Sequence, residues 1–445
     1  MRTLKYILSI GLLTSTVSCN KFLDVQPLES ISDTQTIFDK TSAETALRGV
    51  YSALSNGSYY GTTFQSIGYL TGDNIQWTGS QSQVQEFINK KVNADNSTIG
   101  SAWTAIYRTI NRANNVIAKV PTVTDPLLTD ALKNQLVGEA YFIRALSYFD
   151  LARTWGGVPL ITKPTANPTE NSGISRSSQA ETYALVLKDL ETAEPLLPAT
   201  TDRYRATRKT VWALRSRLHL YLKEWAKAEE YASKLITDTN YRLVKPYNAF
   251  FANDARGTQE SVFEIFYSAN ETNTHRGQWQ PQTNGGTRQW APNDAIVALL
   301  NDPKVGGGRS TLIAKDNQNR WYGNLYYRTP ATDPTFVFRI AEIYLIRAEA
   351  RANQEKITDG LADLNAIRDR AGIAAATATT KDALLLTIEN ERRVEFALEP
   401  HRWFDIVRTG RAAQVFNVTD ANRLLLPIPV GETLIDKALV QNPGY

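Results

Sequence analysis

The chain has few of the residues that usually carry metal or redox chemistry. Its 445 residues include one cysteine, Cys19, and three histidines. A disulfide within the chain is therefore excluded, and no histidine or cysteine pair has the spacing of a zinc site. A cysteine–histidine nucleophile pair would have to use Cys19, which its neighbours explain in another way. The sequence therefore predicts neither a metal site nor a cofactor.

The chain also has no large excess of positive or negative charge, and it has few long apolar runs. The chain has 49 Lys and Arg against 45 Asp and Glu, with no basic block, which argues against nucleic-acid binding. After the N-terminal segment no stretch is long and apolar enough to cross a membrane. A phosphate-binding loop, a G-x-S-x-G motif and an H-E-x-x-H motif are all missing. We therefore expect no enzyme, although counting carboxylates does not exclude a pair for glycoside hydrolysis.

The N-terminus has the pattern of a targeting segment. Two basic residues precede the short apolar run Tyr6–Leu13, and the small residues Thr16–Ser18 lead to Cys19. This looks like a bacterial lipoprotein processing box, in which cleavage leaves an acylated cysteine as the first residue. We therefore predict a lipoprotein signal peptide over residues 1–18 and a lipid anchor on Cys19. The alternative is an ordinary signal peptide with a chance cysteine.

The rest of the chain is organised around the stretch Leu136–Leu160. Its apolar residues recur at helical spacing in two adjacent stripes, leaving a narrow polar ridge that includes Arg144 and Asp150. A helix that is apolar over most of its circumference is packed on both sides. Gly156 and Gly157 are expected to end it.

Further helices are predicted on both sides of this stretch. They are Ser42–Leu54, Ser101–Val120, Gln179–Leu197, Thr207–Leu222, Trp225–Ile236, Arg339–Ala352, Asp359–Ala371, Ala383–Leu398 and the short Trp403–Arg408. Trp225-x2-Ala228-x3-Ala232-x3-Ile236 has the pattern of the second helix of a tetratricopeptide repeat. We count three to four degenerate helical pairs, spread through the chain. The alternative is an unrelated helical bundle.

Two aromatic-rich regions break the helical pattern. Asn56–Ser82 is rich in Gly, Ser and Thr, and we expect a long irregular stretch there. Tyr241–Tyr327 contains the strand-like run Val262–Tyr267 and Gly-rich turns, which suggests an inserted subdomain. Long loops in compact proteins are often functional.

A dense cluster of charges near the C-terminus is interpreted as structural. Between Glu389 and Arg408, acidic residues alternate with arginines at three- and four-residue spacing. On a helix this spacing brings opposite charges together as ion pairs. We assign no catalytic role to the cluster.

Several segments resemble, in order along the chain, the signatures of the SusD/RagB family of outer-membrane nutrient-binding lipoproteins of the Bacteroidetes. They are the box at Cys19, Lys21–Pro27, the W-x3-Y-x2-I-x3-N run from Trp103, GEAYFIRALSYFDLARTWGGVPL, ERRVEFALEPHRWFDIVRTG and the ending LLPIPVGETLIDKALVQNPGY. Each segment alone is only a helical or turn pattern. Together, and in this order, they are specific.

The resemblance implies a fold and a function. The fold is mainly α, a right-handed superhelix of tetratricopeptide-like helical pairs over residues 19–445, with a loop-rich, small-β subdomain inserted at about 241–327. The function is glycan binding without catalysis, by a lipid-anchored protein of the outer membrane that faces the cell surface and delivers ligand to a SusC-like TonB-dependent transporter. The alternative is a helical-repeat adaptor of the cell envelope, with its specificity on inner helices instead of loops.

The two aromatic-rich regions are the predicted binding surface for such a glycan. Sugar rings pack on aromatic rings, and their hydroxyl groups need polar partners. The predicted ligand-binding residues are Tyr59, Asp73, Asn74 and Trp77 in the first region and Trp279, Trp290, Trp321 and Tyr326 in the second. If the two regions meet in space, they form a shallow platform.

Overall fold

Helices make up most of the structure, a computed structural model that describes residues 36–167 and 169–445. The predicted signal peptide and Cys19 lie outside the described residues. In chain order the α-helices are α1 (Lys40–Leu54), α2 (Thr63–Leu70), α3 (Ser82–Ile88), α4 (Ser97–Lys119), α5 (Asp130–Trp155), α6 (Gln179–Leu196), α7 (Arg208–Tyr221), α8 (Trp225–Ile236), α9 (His275–Trp279), α10 (Asp294–Asn301), α11 (Ile340–Asn353), α12 (Ile357–Ala371), α13 (Lys381–Glu395), α14 (Arg402–Arg408), α15 (Ala412–Phe416) and α16 (Val430–Ile435).

The described residues contain six short strands in three antiparallel pairs. The pairs are β1 (Ile75–Trp77) with β3 (Trp290–Pro292), β2 (Ser261–Ile265) with β6 (Thr335–Arg339), and β4 (Ile313–Lys315) with β5 (Trp321–Gly323). Four of the six lie inside the region predicted to be a small-β insertion, whereas β1 and β6 lie outside it. The prediction of a mainly α fold with a small amount of β-structure is confirmed.

The central helix α5 is packed on every side. Its N-cap residue Thr129 accepts a hydrogen bond from the backbone of Leu132, and Gly156 ends it at a φ of +79° that disfavours other residues. Helices α4 and α6 cover it from two directions. The prediction of a helix packed on both sides is confirmed.

The narrow polar ridge of α5 is buried as well. Arg144 is 4% exposed, and its Nη2 lies 2.7 Å from Asp189 Oδ1 on α6. Asp150 is fully buried and accepts from Arg153 at 2.7 Å. Arg144 therefore pairs with the neighbouring helix α6 and Asp150 pairs within α5, so both charges have partners inside the fold instead of solvent.

The predicted helical pairs are present as α7 with α8 and α11 with α12. Ala228 and Ala232 on α8 are fully buried, which lets α8 approach both α7 and α11 closely. Arg351 of α11 donates to Glu229 of α8 at 2.9 Å, so a charged contact joins one pair to the next. The prediction of tetratricopeptide-like pairs is confirmed.

The expectation of an irregular stretch at Asn56–Ser82 is wrong in its middle. Helix α2 occupies Thr63–Leu70, and all of its side chains after Thr63 are buried. With only 8 residues and no polar face, this helix is too short for its spacing to stand out in the sequence. Gly68 packs against Pro400 so closely that a Cβ atom would collide with it. Tertiary packing therefore holds this short helix.

The C-terminal charge cluster is structural, but most of its pairs are not within one helix. Glu395 on α13 is fully buried and contacts three arginines from other elements. Arg309 donates to it at 2.9 Å and Arg339 at 3.0 Å, and Arg370 is the third partner. Burial alone would raise the pKa of Glu395, but the charges of Arg370, Arg309 and Arg339 outweigh it and hold that pKa at about 2. Among the local pairs that were predicted, Arg408 does meet Asp405, at 2.9 Å.

Candidate functional site

The two aromatic-rich regions meet through the pairing of β1 with β3. Trp77 lies opposite Trp290, and Ile75 lies opposite Pro292. The Gln76 side chain donates to the carbonyl of Pro292 at 3.1 Å. Strand β5, which carries Trp321, packs beside β3. The condition for a shared surface is therefore met.

Five of the eight predicted ligand-binding residues are buried. The exposed fractions are 0% for Tyr59, 3% for Asn74, 0% for Trp279, 5% for Trp290 and 2% for Tyr326. A ligand at the surface cannot reach side chains that are covered by protein. For these five residues the structure corrects the expectation of direct contact with a ligand.

The buried rings form an aromatic cluster beneath β1 and β3. Trp279 and Trp290 meet edge to face at 5.6 Å between centroids, and Tyr69 contacts both at 5.5 Å. His275 stacks on Tyr326 at 4.3 Å. Burial of large aromatic area and these ring geometries are both favourable. The cluster therefore supports the surface from below.

The polar residues predicted at the site already have partners inside the fold. Arg402 donates to Asp73 at 2.8 Å, and Arg393 lies 3.3 Å from the same carboxylate. The Asn74 side chain accepts from Arg393 at 3.0 Å, and the Tyr59 hydroxyl donates to a carboxylate on α5 at 2.8 Å. Asp73 and Asn74 therefore tie the first region to α13 and α14.

Trp77 and Trp321 are the predicted rings that are half-buried and reach solvent. Arg288 joins them. The Thr78 hydroxyl, next to Trp77, donates to the carbonyl of Arg288 at 2.7 Å. Arg288 Nε in turn donates to the carbonyl of Trp321 at 2.8 Å. We call the surface formed by Trp77, Arg288, Lys315 and Trp321 the tryptophan surface.

The loop after β1 covers part of the Trp77 ring. A Cβ atom at Gly79 would collide with that ring, so only glycine allows the chain to cross it. The Trp77 Nε1 is buried and has no hydrogen-bond partner among the described residues. Another part of the Trp77 side chain packs against the hydrophobic core, and the part that stays exposed is available for contact with a ligand.

Sequence reasoning missed two cations of the tryptophan surface. The Lys315 Nζ lies 4.8 Å from the centroid of the Trp321 ring. Neither Lys315 nor Arg288 has a carboxylate within ion-pair distance in the described part of the chain. Burial, and secondarily the charge of Arg320, lowers the pKa of Arg288, with a partial offset from Asp316. No sequence signal separates these two cations from the other basic residues.

A cleft of about 380 Å³ lies elsewhere, between α7, α8, α11, α13 and α14. Its walls carry arginines that are already paired. Arg408 donates to Glu349 at 2.6 Å, Arg392 to Asp405 at 2.7 Å, and Arg411 lies 2.5 Å from Glu389. Because these charges are neutralised inside the fold, we prefer the tryptophan surface as the candidate site.

The described residues contain neither a membrane-spanning helix nor a cluster of metal-binding side chains. Within residues 36–167 and 169–445, no helix has the length and apolar character needed to cross a membrane. The same residues contain no group of three or more His, Cys, Asp or Glu side chains arranged to hold a metal ion.

Comparison with known families matches nearly the whole chain in two parts. Residues 21–221 match a SusD-like family model described as starch-binding and associating with the outer membrane. Residues 229–445 match the SusD family, SusD_RagB. The SusD-like protein P38 of Formosa agariphila is 28% identical, over 100% of this chain and 98% of that protein. The starch-binding protein SusD of Bacteroides thetaiotaomicron is 23% identical, over 98% and 97%.

Solved structures share the fold. A SusD superfamily protein from Bacteroides vulgatus superposes with a TM-score of 0.84 at 22% identity, covering 91% of this chain and 99% of that one. A laminarin-binding SusD-like protein superposes with a TM-score of 0.81 at 23% identity, covering 92% and 100%.

Proposed function

The chain belongs to the SusD/RagB family, and from this premise we propose that it is a cell-surface lipoprotein that binds glycans and delivers them to a SusC-like TonB-dependent transporter. The observation that carries the proposal is the pair of family matches, which run in order from residue 21 to residue 445. Two of the relatives named above are named for binding, one of starch and one of laminarin, which supports a role in binding without catalysis. Trp77 and Trp321 of the tryptophan surface lie outside the helical pairs, which favours this function over a helical-repeat adaptor.

Glycan binding is assigned to the tryptophan surface. One relative is named for starch and one structural neighbour for laminarin, and both are polymers of sugar rings. The C–H faces of such rings pack on Trp faces, while nearby donors bind the hydroxyl groups. Trp77 and Trp321 supply the rings and Arg288 supplies donors.

Calorimetry with a panel of glycans tests this assignment. Trp321→Ala and Trp77→Ala should each weaken binding by about 2 kcal/mol, because aromatic anchors dominate such contacts. Trp212→Ala is the matched control, since Trp212 is also half-buried but lies on α7, where it donates to Glu194 at 2.8 Å. Unchanged affinity in both surface variants would remove the binding role from this surface.

The transporter is proposed as the partner because the family premise implies it. An apolar patch near the C-terminus offers a surface of the kind that interfaces use: Leu434 is 63% exposed, Ile435 87% and Val440 70%. Pull-down in mild detergent should recover a TonB-dependent barrel with the wild-type protein. Ile435→Asp should reduce this recovery. Leu127→Asp, at an exposed leucine far from the C-terminus in the sequence, should not. Recovery of the wild-type protein alone would contradict the partnership.

The lipid anchor is proposed at Cys19, outside the described residues. Cys19→Ala should leave the precursor uncleaved by the lipoprotein peptidase and move the protein out of the membrane fraction. Protease treatment of intact cells should degrade the wild-type protein if it faces the cell surface. Unchanged membrane fractionation of the variant would contradict anchoring through this residue.

A further inference from the structure

The tryptophan surface carries positive charge that the fold does not neutralise. Arg288 and Lys315 flank Trp321, and neither has a carboxylate partner in the described part of the chain. Arg276, from α9 nearby, donates to backbone carbonyls of Tyr327 and Asn284. We propose that the glycan bound at this surface is anionic, with carboxylate or sulfate groups on its sugars. This inference rests on the glycan-binding function proposed above.

Arg288 is held in a position where it can bind an anion. Its carbonyl accepts from Thr78 at 2.7 Å, and its Nε donates to the carbonyl of Trp321 at 2.8 Å. The first contact holds the backbone of Arg288 beside the strand of Trp77, and the second holds its guanidinium against the strand of Trp321. The second contact uses only one edge of the guanidinium, and its two terminal nitrogens have no protein partner among the described residues. A planar guanidinium binds the paired oxygens of a carboxylate or sulfate with two parallel hydrogen bonds.

The nearest acidic side chain does not neutralise this charge. Asp316 accepts from Arg320 Nε at 2.8 Å and from the backbone of Gln318 and Arg320 at 2.9 Å each. Its side chain is fully buried in the turn between β4 and β5. Asp316 is therefore occupied within its own turn, and Arg288 and Lys315 keep their net positive charge.

Lys315 places a second charge where a sugar would stack. Its ammonium lies 4.8 Å from the centroid of the Trp321 ring, within the range of a cation–π contact. A neutral sugar on that ring face must displace the ammonium and gains no ion pair in return. An acidic sugar keeps the ammonium nearby and pairs with it. The charge therefore selects between ligands that the tryptophans alone would bind equally.

Several arginines elsewhere in the protein are paired with a carboxylate of the same chain. Arg144, Arg217 and Arg408 each reach a carboxylate at 2.7 Å or less. Within residues 36–167 and 169–445 Arg288 has no such contact, and burial lowers its pKa more than the charge of Asp316 raises it. A bound carboxylate or sulfate would supply the missing anion.

Calorimetry with matched oligosaccharides tests the inference. The probes are oligogalacturonates for carboxylate, carrageenan oligosaccharides for sulfate, and laminarin and starch oligosaccharides as neutral ligands. We expect one of the acidic probes to bind more tightly than either neutral one, and its affinity to fall as NaCl is raised. Which acidic probe binds distinguishes carboxylate from sulfate.

Three variants test whether Arg288 and Lys315 supply the positive charge that binds the acidic probe. Arg288→Gln and Lys315→Gln should each weaken binding of the acidic probe about tenfold, because hydrogen bonds to charged groups are strong. Lys315 is exposed, so its variant leaves folding intact. Arg48→Gln removes the same net charge from an exposed position on α1 and should leave the affinity unchanged.

Two outcomes would overturn the inference, and they are distinguishable. If a neutral glycan binds most tightly and only the Trp variants weaken it, the glycan-binding function stands and the anionic ligand is refuted. If neither the acidic nor the neutral probes bind, both the proposed function and this inference fail.

Discussion

Arginine side chains have different surroundings in two regions of the molecule. Around α13, Arg309 is fully buried and Arg339 is 2% exposed, and both contact glutamates at 3.0 Å or less. At the tryptophan surface, Arg288 is half-buried, and among the described residues its side chain hydrogen-bonds only to the carbonyl of Trp321, through Nε. Buried charges that are paired with other side chains stabilise the fold, whereas a charge without such a partner is available to a ligand.

The buried region is costly to disturb because each charge depends on the others. Arg339 lies 2.8 Å from Glu260, 3.0 Å from Glu395 and 2.5 Å from Glu399. Moving such ions out of water is unfavourable, and only their mutual attraction and hydrogen bonds offset the cost. Removing one member therefore leaves the others as uncompensated buried charges.

The largest effect on stability should come from removing a carboxylate from the buried ion pairs around α13. Glu395→Gln removes the carboxylate shared by Arg309, Arg339 and Arg370, and we expect a loss of about 4 kcal/mol in the free energy of unfolding. Urea denaturation measures it. Glu230→Gln is the control, because its pair with Lys234 is exposed and should contribute no more than about 0.5 kcal/mol. If both variants lost the same free energy of unfolding, the contrast between buried and exposed ion pairs would be contradicted.

A second test separates the buried aromatic cluster from the surface above it. Trp279→Ala should destabilise the protein by about 3 kcal/mol, since it deletes a fully buried ring. Trp321→Ala should lower stability by less than about 1 kcal/mol, since that ring is half-exposed, yet it should weaken ligand binding. Thermal denaturation and calorimetry on the same samples measure both. A large stability loss in Trp321→Ala would assign that ring to the core.

The smallest effect concerns acid sensitivity within the aromatic cluster. Burial, only partly offset by the carbonyl of Tyr60, lowers the pKa of His275 from 6.5 to about 3. Between these values the unfolded chain binds a proton that the folded protein does not. The contribution of His275 is thus complete above pH 6.5 and is lost as pH falls toward 3, by about 1 kcal/mol at pH 5.5.

Urea denaturation at pH 7.5 and pH 5.5 measures this effect. His275→Gln should be less stable than wild type at both pH values, because the ring stacks on Tyr326. The difference in stability between the two pH values should nevertheless be smaller in the variant. The same difference in both proteins would show that His275 titrates normally.

Helices of several turns could be predicted from the sequence, including the buried central helix α5, whereas the short buried helix α2 could not. The bounds of Trp225–Ile236 agree with the structure because its alternating faces are visible at helical spacing. Thr63–Leu70 was missed because it has only 8 residues and nearly every side chain in it is buried, which leaves no stripe to read. The resemblance to the family indicated the repeat architecture where periodicity alone left a helical bundle open.

The candidate site was predicted by region, and by residue only for Trp77 and Trp321. The sequence shows that Trp279 and Trp321 are aromatic, but their opposite burial follows from packing against distant segments. Local spacing likewise predicts pairs within a helix, whereas Arg309 and Glu395 are 86 residues apart. Arg288 was missed for the same reason, since its importance depends on carboxylates that are not near it in space.

The pairing of β1 with β3 has a consequence for the order of folding. The hydrogen bond from Gln76 to Pro292 spans 216 residues, and the one from Arg402 to Asp73 spans 329. Contacts between distant segments form slowly, because loop closure must be achieved before they contribute stability. Helical hairpins such as α7 with α8 are local and can form early. We therefore expect the tryptophan surface to assemble late, so that ligand binding reports a completely folded chain.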